Sequence, residues 1–298
     1  MNIDIITVLG CTATGKTKLA AQLCSIFNGE IISADSRQVY KQMNIGTGKD
    51  LAEYEISGNT IPHHLIDVIE PAEEFNLFLF RELFQNSFDD IVKRKKLPFL
   101  VGGTGLYLSA VLSGYNLSKV DFENEYQKFE NLSVAELREI LLNISGGLHN
   151  TTDLLEKDRI IRAIIIAKHN NKSDSQKPIS SFVIGISLPR DEIKNRITER
   201  LKKRLNEGMI DEVKLLLDSG VSYEKMLFFG LEYKFVAQYL KDELSYNDMY
   251  QKLNSSIHAF AKRQMTWFRK MEREGIAINW IDGADFNRAK DLIEKNLC

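Results

Sequence analysis

The chain is poor in cysteine, proline and tryptophan. Its 298 residues hold three cysteines, five prolines and two tryptophans. Cys11, Cys24 and Cys298 match neither a disulfide framework nor zinc-site spacing, which points to a reducing compartment. No apolar run approaches the ~18 residues of a membrane span, so no membrane partner is expected. Met1 leads within two residues into a strand-like run, so no signal or transit peptide is expected and the expected location is the cytoplasm. Internal repeats and long low-complexity tracts are missing. An excess of charge is missing too. Lys+Arg number 39 against 41 Asp+Glu, a net −2 that argues against a uniformly basic binder. What remains, 44% apolar and 27% charged, is an ordinary globular composition long enough for one large domain or two modest ones.

The balanced total hides two basic stretches. Residues 194–204 carry six basic side chains and one acid, and residues 262–273 carry five and one. Basic helices on an otherwise acidic body read either as solvated faces or as a directed polyanion site.

Residues 3–9 form a continuous apolar run, as in a strand buried on both faces. A glycine-rich turn and a helix over about 16–27 follow. Further strands are predicted at 30–34, 65–69 and 97–101, with a helix over 75–93. This alternation predicts an α/β fold, a P-loop NTPase-like parallel sheet flanked by helices. From 115 to 171 only helical patterns appear, at 134–142 and 154–168, and 170–178 (NNKSDSQKP) reads as a linker. Strand character returns at 181–188 and 276–281. The expected layout is a catalytic core of 1–113 and 178–298 interrupted by an all-helical insertion, 114–177.

Gly10-Cys11-Thr12-Ala13-Thr14-Gly15-Lys16-Thr17 satisfies G-x-x-x-x-G-K-[ST], directly after a strand and opening a helix. The glycines let backbone N–H groups curl around an anion at a helix N-terminus. Lys16 supplies a point charge, and the Thr17 hydroxyl can ligate Mg²⁺. This is the pattern of a di- or triphosphate site. Active crevices of open α/β sheets lie at the carboxyl ends of the strands, where Asp35 ends one strand. It reads as a metal ligand, a general base or a helix N-cap. Gly102-Gly103-Thr104-Gly105 ends another strand, with Thr104 presenting a hydroxyl to the same edge or capping a tight turn. The loop Gly46-Thr47-Gly48-Lys49 adds a cation. His63 and His64 read as packing residues, the basic run 93–96 as a solvated helix end and Trp280 as core. On the last long helix Ile257, Ala261, Gln264 and Phe268 share one face, and Lys262, Thr266, Arg269 and Arg273 share another.

The residues so far are open to a small-molecule kinase using ATP with Asp35 as base, and to a non-enzymatic P-loop RNA-binding protein with Asp35 as a cap. GCTATGKT (10–17), DSRQVY (35–40), IGTGK (45–49), PHHLID (62–67), VGGTGLY (101–107) and AKRQMTWFR (261–269), in this order, resemble the tRNA dimethylallyltransferases, also called tRNA isopentenyltransferases. The last of these favours the tRNA-acting branch over the adenylate dimethylallyltransferases that act on free nucleotide. Zinc-finger cysteines are absent, as in the bacterial type.

The resemblance implies transfer of a dimethylallyl group from dimethylallyl diphosphate to N6 of adenosine 37 beside the anticodon of a tRNA. It implies that Gly10–Thr17 hold the donor's diphosphate with Mg²⁺ on Thr17. Asp35 would be the general base, and Thr104 would contact the reacting adenosine or the bridging oxygen. Asp35, Ser36, Arg37, Gln38 and Thr104, with Asp158, Arg159, Ile160, Ile161 and Arg162, would line the path of the anticodon stem-loop. Lys262, Arg263 and Arg269 are candidates for tRNA phosphates. A monomer is expected. Three segments depart from the family pattern: an acidic stretch at 120–129, the helix start at 156–163, and 229–234 (FGLEYK), two residues longer than the common form.

Overall fold

The computed structural model describes residues 3–113, 122–145, 157, 160, 161, 164, 165, 168 and 179–297. The chain divides into a compact unit formed by Met1–Leu112 with Ile179–Cys298 and a second unit, Ser113–Pro178.

The first unit is built on a parallel sheet. Its strands are β1 (Ile5–Gly10), β2 (Gly29–Ala34), β5 (His63–His64), β6 (Leu97–Gly102), β7 (Ser181–Ser187) and β8 (Ile278–Asp282), in the order β5-β2-β6-β1-β7-β8. Every neighbouring pair runs parallel. A two-stranded antiparallel hairpin, β3 (Glu55–Ile56) with β4 (Asn59–Thr60), stands apart. Successive side chains of a strand point to opposite faces, and β1 uses both. Ile5 and Leu9 join one core with Phe80, Phe84 and Leu108, while Ile6 and Val8 join another with Leu19, Leu23, Ala289 and Ile293.

The second core is closed by α1 (Lys16–Phe27) and α11 (Phe286–Leu297). The first is closed by α2 (Leu77–Lys93), α3 (Gly105–Leu112), α6 (Arg190–Asn206), α7 (Met209–Asp218), α8 (Tyr223–Phe228), α9 (Leu231–Leu240) and α10 (Tyr246–Arg273). Because β1, β2 and β6 run parallel side by side, the loops that follow them open at one edge of the sheet.

The strand expected at 65–69 is not formed. Left-handed backbone at Leu65 (φ 64°) and Asp67 (φ 53°) breaks the extended run, leaving only His63–His64 paired with β2 and an isolated bridge from Ile69 to Tyr40. Arg94, expected to be solvated, instead donates to the buried carboxylate of Glu30, with Nη2 2.8 Å from Oε2. His64 Nε2 lies 2.8 Å from the same oxygen.

The second unit contains α4 (Phe122–Gln127) and α5 (Val134–Ser145). A reciprocal cap starts α5: Ser133 Oγ accepts from the Glu136 N–H at 3.3 Å, and the Glu136 carboxylate accepts from the Ser133 N–H at 2.8 Å. Its core joins Phe129, Leu137 and Leu141 to Ile160, Ile161, Ile164 and Ile165. Ile160 and Ile161 are fully buried there, which corrects their assignment to a tRNA path. Two apolar side chains at adjacent helical positions serve the core of this unit. Asp158, Arg159 and Arg162 lie outside the described residues.

Candidate active site

Gly10 ends β1, and a Cβ there would meet Thr14 Oγ1 at 2.7 Å, so the turn closes only around glycine. Ala13 (φ 65°) and Gly15 (φ 82°) take the left-handed backbone that curls the loop. Gly15 precedes α1 without a side-chain cap, leaving the first-turn N–H groups of that helix to another acceptor. The Cys11 carbonyl accepts from Thr14 Oγ1 at 2.9 Å and Lys16 Nζ at 3.5 Å. Burial and the neighbouring Arg200 hold Lys16 below the usual lysine range, and Asp35 pulls it back. Cys11 contributes backbone only. Its buried thiol donates to the Ala261 carbonyl at 3.3 Å, and burial pushes it up to about 11.

Asp35 and Thr104 follow the neighbouring strands β2 and β6, whose ends are aligned with Ala34 registered against Gly102. Asp35 Oδ1 accepts from the N–H groups of Arg37 (2.9 Å) and Gln38 (3.4 Å), capping a turn rather than the helix considered from sequence. Oδ2 accepts no hydrogen bond among the described residues. Capping therefore engages one oxygen and leaves the other to do chemistry. Thr104 Oγ1 accepts from the Ser36 N–H at 3.3 Å, so the hydroxyl is held beside the Asp35 turn.

Several expected ligands are occupied by the scaffold. The Gln38 amide is used on both sides, accepting from Ser33 Oγ at 3.2 Å and donating to the Gly48 carbonyl at 2.9 Å. It positions the loop instead of facing outward. Arg37 lies over the Phe228 ring, 4.9 Å from its centroid. Lys49 is buried, donating to the Tyr40 carbonyl (2.7 Å), to Asn44 Oδ1 (2.9 Å) and to Asp67. The cation of the 46–49 loop is thus a strut. Lys262, Arg263 and Arg269 are exposed on α10, as expected for a face open to solvent or phosphate.

Four residues escaped the sequence reading. Gln264, from the buried stripe of α10, accepts from the Thr12 N–H at 2.9 Å and donates to the Gly103 carbonyl at 2.9 Å. One amide therefore ties the Gly10–Thr17 loop to the GGTG turn, and the Thr12 N–H is already spoken for. Glu212 of α7 accepts from the N–H groups of Asn44 (2.7 Å), Ile45 (2.7 Å) and Gly46 (2.9 Å) and from the Tyr233 hydroxyl (2.7 Å), fixing the next loop. Arg200 and Arg204 of α6 turn inward. With Thr12, Ile197, Leu201, Glu232 and Ile257 they line a small pocket, and burial with the adjacent Arg204 lowers Arg200 to about 10. The visible signal was a polar residue inside an apolar helical stripe, at Gln264 and Arg204.

This arrangement, a phosphate-type loop, a half-free carboxylate and inward cations at one edge of a parallel sheet, defines an α/β protein of the P-loop-like class. The family model described as IPP transferase matches residues 38–271, and one described as isopentenyl transferase matches 3–66. Over 94% of its length the chain is 51% identical to tRNA dimethylallyltransferase 2 of Pelobacter propionicus, covering 90% of that protein. It is 49% identical to tRNA dimethylallyltransferase 1 of Geotalea uraniireducens over 99% of both. The solved full-length tRNA isopentenylpyrophosphate transferase of Bacillus halodurans superposes with a TM-score of 0.71 at 34% identity, covering 98% of this chain and 95% of that one. A eukaryotic dimethylallyltransferase acting on tRNA shares the fold at 22% identity, with a TM-score of 0.77 over 99% of this chain and 77% of that one. The chain belongs to the IPP transferase family.

Proposed function

We propose that the protein transfers a dimethylallyl group from dimethylallyl diphosphate to N6 of adenosine 37 beside a tRNA anticodon, giving N6-(dimethylallyl)adenosine and diphosphate. The names of its relatives support the reaction. The observation that carries it on this chain is the Thr104 hydroxyl bonded to the Ser36 N–H, one residue from Asp35, at the sheet edge that also bears the Gly10–Thr17 loop.

The N6 amine is a poor nucleophile, its lone pair being delocalised into the ring. It attacks the allylic carbon of the donor as the carbon–oxygen bond to diphosphate breaks. Asp35 Oδ2, free of the capping bonds, takes the N6 proton, and a positioned base contributes typically 10²–10⁴-fold. Negative charge grows on the leaving diphosphate, where Lys16, Arg200 and the first-turn N–H groups of α1 stabilise it. The Thr104 hydroxyl orients the reacting groups. Burying five prenyl carbons yields at most about 4 kcal/mol, so the phosphate contacts dominate donor binding.

Mg²⁺ fits this donor set through the Thr17 hydroxyl. Among the described residues no group of three His, Cys, Asp or Glu side chains could cage a metal, and Mg²⁺ commonly keeps waters and substrate phosphate oxygens as its other ligands. When bound it would neutralise charge on the diphosphate. The exposed Lys262, Arg263 and Arg269 are assigned to tRNA phosphates. Ser36 and Arg37, half-buried in the turn after β2, and the second unit are assigned to the anticodon arm. Among the described residues no helix is long and apolar enough to cross a membrane.

The test is mass spectrometry of tRNA nucleosides after incubation with Mg²⁺, unmodified tRNA and dimethylallyl diphosphate, with ATP as control. A donor-dependent five-carbon gain on adenosine is expected. ATP consumption without that gain would replace the proposal by the kinase reading, and prenylation of AMP without tRNA by the free-nucleotide one.

A further inference from the structure

The guanidinium of Arg204 is short of partners. Its side chain is 6% exposed, and among the described residues its Nε and Nη2 make no hydrogen bond. Nη1 reaches the Gly46 carbonyl only at 3.5 Å. The carboxylates around it stand off, Asp50 at 3.7 Å and Glu232 at 3.9 Å, both beyond hydrogen-bond reach. Buried polar groups are nearly always satisfied, and a buried charge left this way is costly.

A second cation makes the deficit larger. A Cβ on Gly48 would overlap Arg204 Nη2 and touch Arg200 Nη2 at 3.0 Å, so both guanidiniums crowd the space that this glycine leaves open. Two like charges this close repel unless an anion sits with them. The pocket they line also includes Thr12 of the phosphate loop, with Ile197 and Ile257 as its apolar wall. Arg200 in turn neighbours Lys16.

We propose that Arg204 is a catalytic residue of this enzyme, a second guanidinium beside Arg200 that takes oxygens of the donor's diphosphate through its free Nε and Nη2. The inference rests on the function proposed above and adds a residue to it. Nε and Nη2 form the fork that guanidinium uses for phosphate, and a bidentate contact is stronger and more directional than a lysine's point charge. The depth of the site favours the donor over tRNA, whose backbone phosphates stay at the surface. Glu232 belongs to the 229–234 segment that departs from the common family form, so this wall carries both an extra cation and its counterweight. Before the donor arrives Glu232 and Asp50 hold Arg204 loosely, and the diphosphate replaces them as its partner. As the carbon–oxygen bond breaks, the electron pair stays on the diphosphate oxygen and Arg204 shares the charge with Lys16 and Arg200.

The experiment measures affinity for inorganic diphosphate with Mg²⁺ by calorimetry, and for tRNA separately, on wild type, Lys16→Ala, Arg204→Met and Glu232→Gln. Arg204→Met keeps the apolar stem and is expected to weaken diphosphate binding by about tenfold or more while leaving tRNA affinity unchanged. Glu232→Gln removes a competing carboxylate and is expected to bind diphosphate as tightly as wild type or tighter. It carries the test if Arg204→Met does not fold. Wild-type diphosphate affinity in Arg204→Met would overturn the inference. An equal loss for tRNA and diphosphate would also do so, as would a loss in Glu232→Gln matching that in Arg204→Met, which would make the pair structural. If Lys16→Ala leaves diphosphate binding intact, the proposed function itself fails. If Lys16→Ala loses it and Arg204→Met does not, only this inference falls.

Discussion

Gln264 and Thr12 are 252 positions apart in the chain, yet the Gln264 side-chain Oε1 accepts the Thr12 N–H at 2.9 Å. The other end of the same amide donates to Gly103. A Cβ on Gly103 would collide with that amide nitrogen, so the glycine of the turn and the glutamine of the helix require each other. Replacing Gln264 by Leu leaves the part-buried Thr12 N–H and the buried Gly103 carbonyl unpaired. The expected cost is about 1–3 kcal/mol of stability, read from the urea midpoint, with a raised KM for the donor because the phosphate loop loses its strut. Unchanged stability and KM would remove the strut from the account.

Asp35 uses its two oxygens differently, and the choice of substitution follows. Asn keeps the acceptor that caps the turn at Arg37 and Gln38 and removes the carboxylate that takes a proton. Asp35→Asn is expected to fold and bind tRNA as wild type while single-turnover transfer falls by about 10² or more. Asp35→Ala loses the cap as well and should add a stability deficit of about 1 kcal/mol. Near-normal turnover in the Asn variant would exclude Asp35 as the base.

What could be read from the sequence was whatever depends on local pattern. The apolar run of β1, the glycine spacing of residues 10–17 and the strand-end position of Asp35 are local, and each lies where expected. Tertiary partners were not legible. Arg200 and Arg204 counted toward a basic stretch, but their turn of α6 also carries the buried Ile197 and Leu201, which rotate them into the crevice. Lys49 looked like a loop cation, and only the chain path that brings Asp67 and the Tyr40 carbonyl beside it makes it a buried strut. At 65–69 apolar content suggested a strand, and two positive-φ residues with no glycine to announce them decided otherwise.

Glu212 makes a loop of the site depend on one carboxylate. It gathers three N–H groups and the Tyr233 hydroxyl, which a neutral amide cannot do with its single acceptor oxygen. Glu212→Gln is expected to destabilise the protein by about 1–3 kcal/mol in a thermal or urea melt. Tyr233→Phe, which removes one donor of the four, should cost less. Equal costs for the two variants would mean that the backbone bonds contribute little.

The Glu30 cluster, at the opposite end of β2 from Asp35, tests pH dependence without touching the reaction. The Arg94 guanidinium, helped by His64, holds the Glu30 carboxyl below its ordinary value of 4.5 against the opposing effect of burial. A carboxylate with a depressed pKa stabilises the fold fully above its unfolded value, and that stabilisation is lost as pH falls through the folded value. Wild type should therefore lose stability below pH ~4.5 more steeply than Glu30→Gln, and the two urea midpoints should converge at low pH. Parallel curves from pH 7 to pH 3 would show that Glu30 is not the group responsible.

Lys262, Arg263 and Arg269 offer the cleanest test of where tRNA phosphates lie, because they are exposed and none is used in the core. Each phosphate neutralised releases condensed counterion, so affinity for tRNA should fall linearly with salt on logarithmic axes. Replacing all three by Gln is expected to weaken tRNA binding at low salt and to flatten that slope by about one for each phosphate no longer neutralised. Affinity for inorganic diphosphate should not change, since the phosphate loop keeps its Gln264 strut from the opposite, buried face of α10. Filter binding across a salt series separates the outcomes. A slope equal to that of wild type would make this face of α10 a solvated surface and would leave other cations of the chain to carry the tRNA.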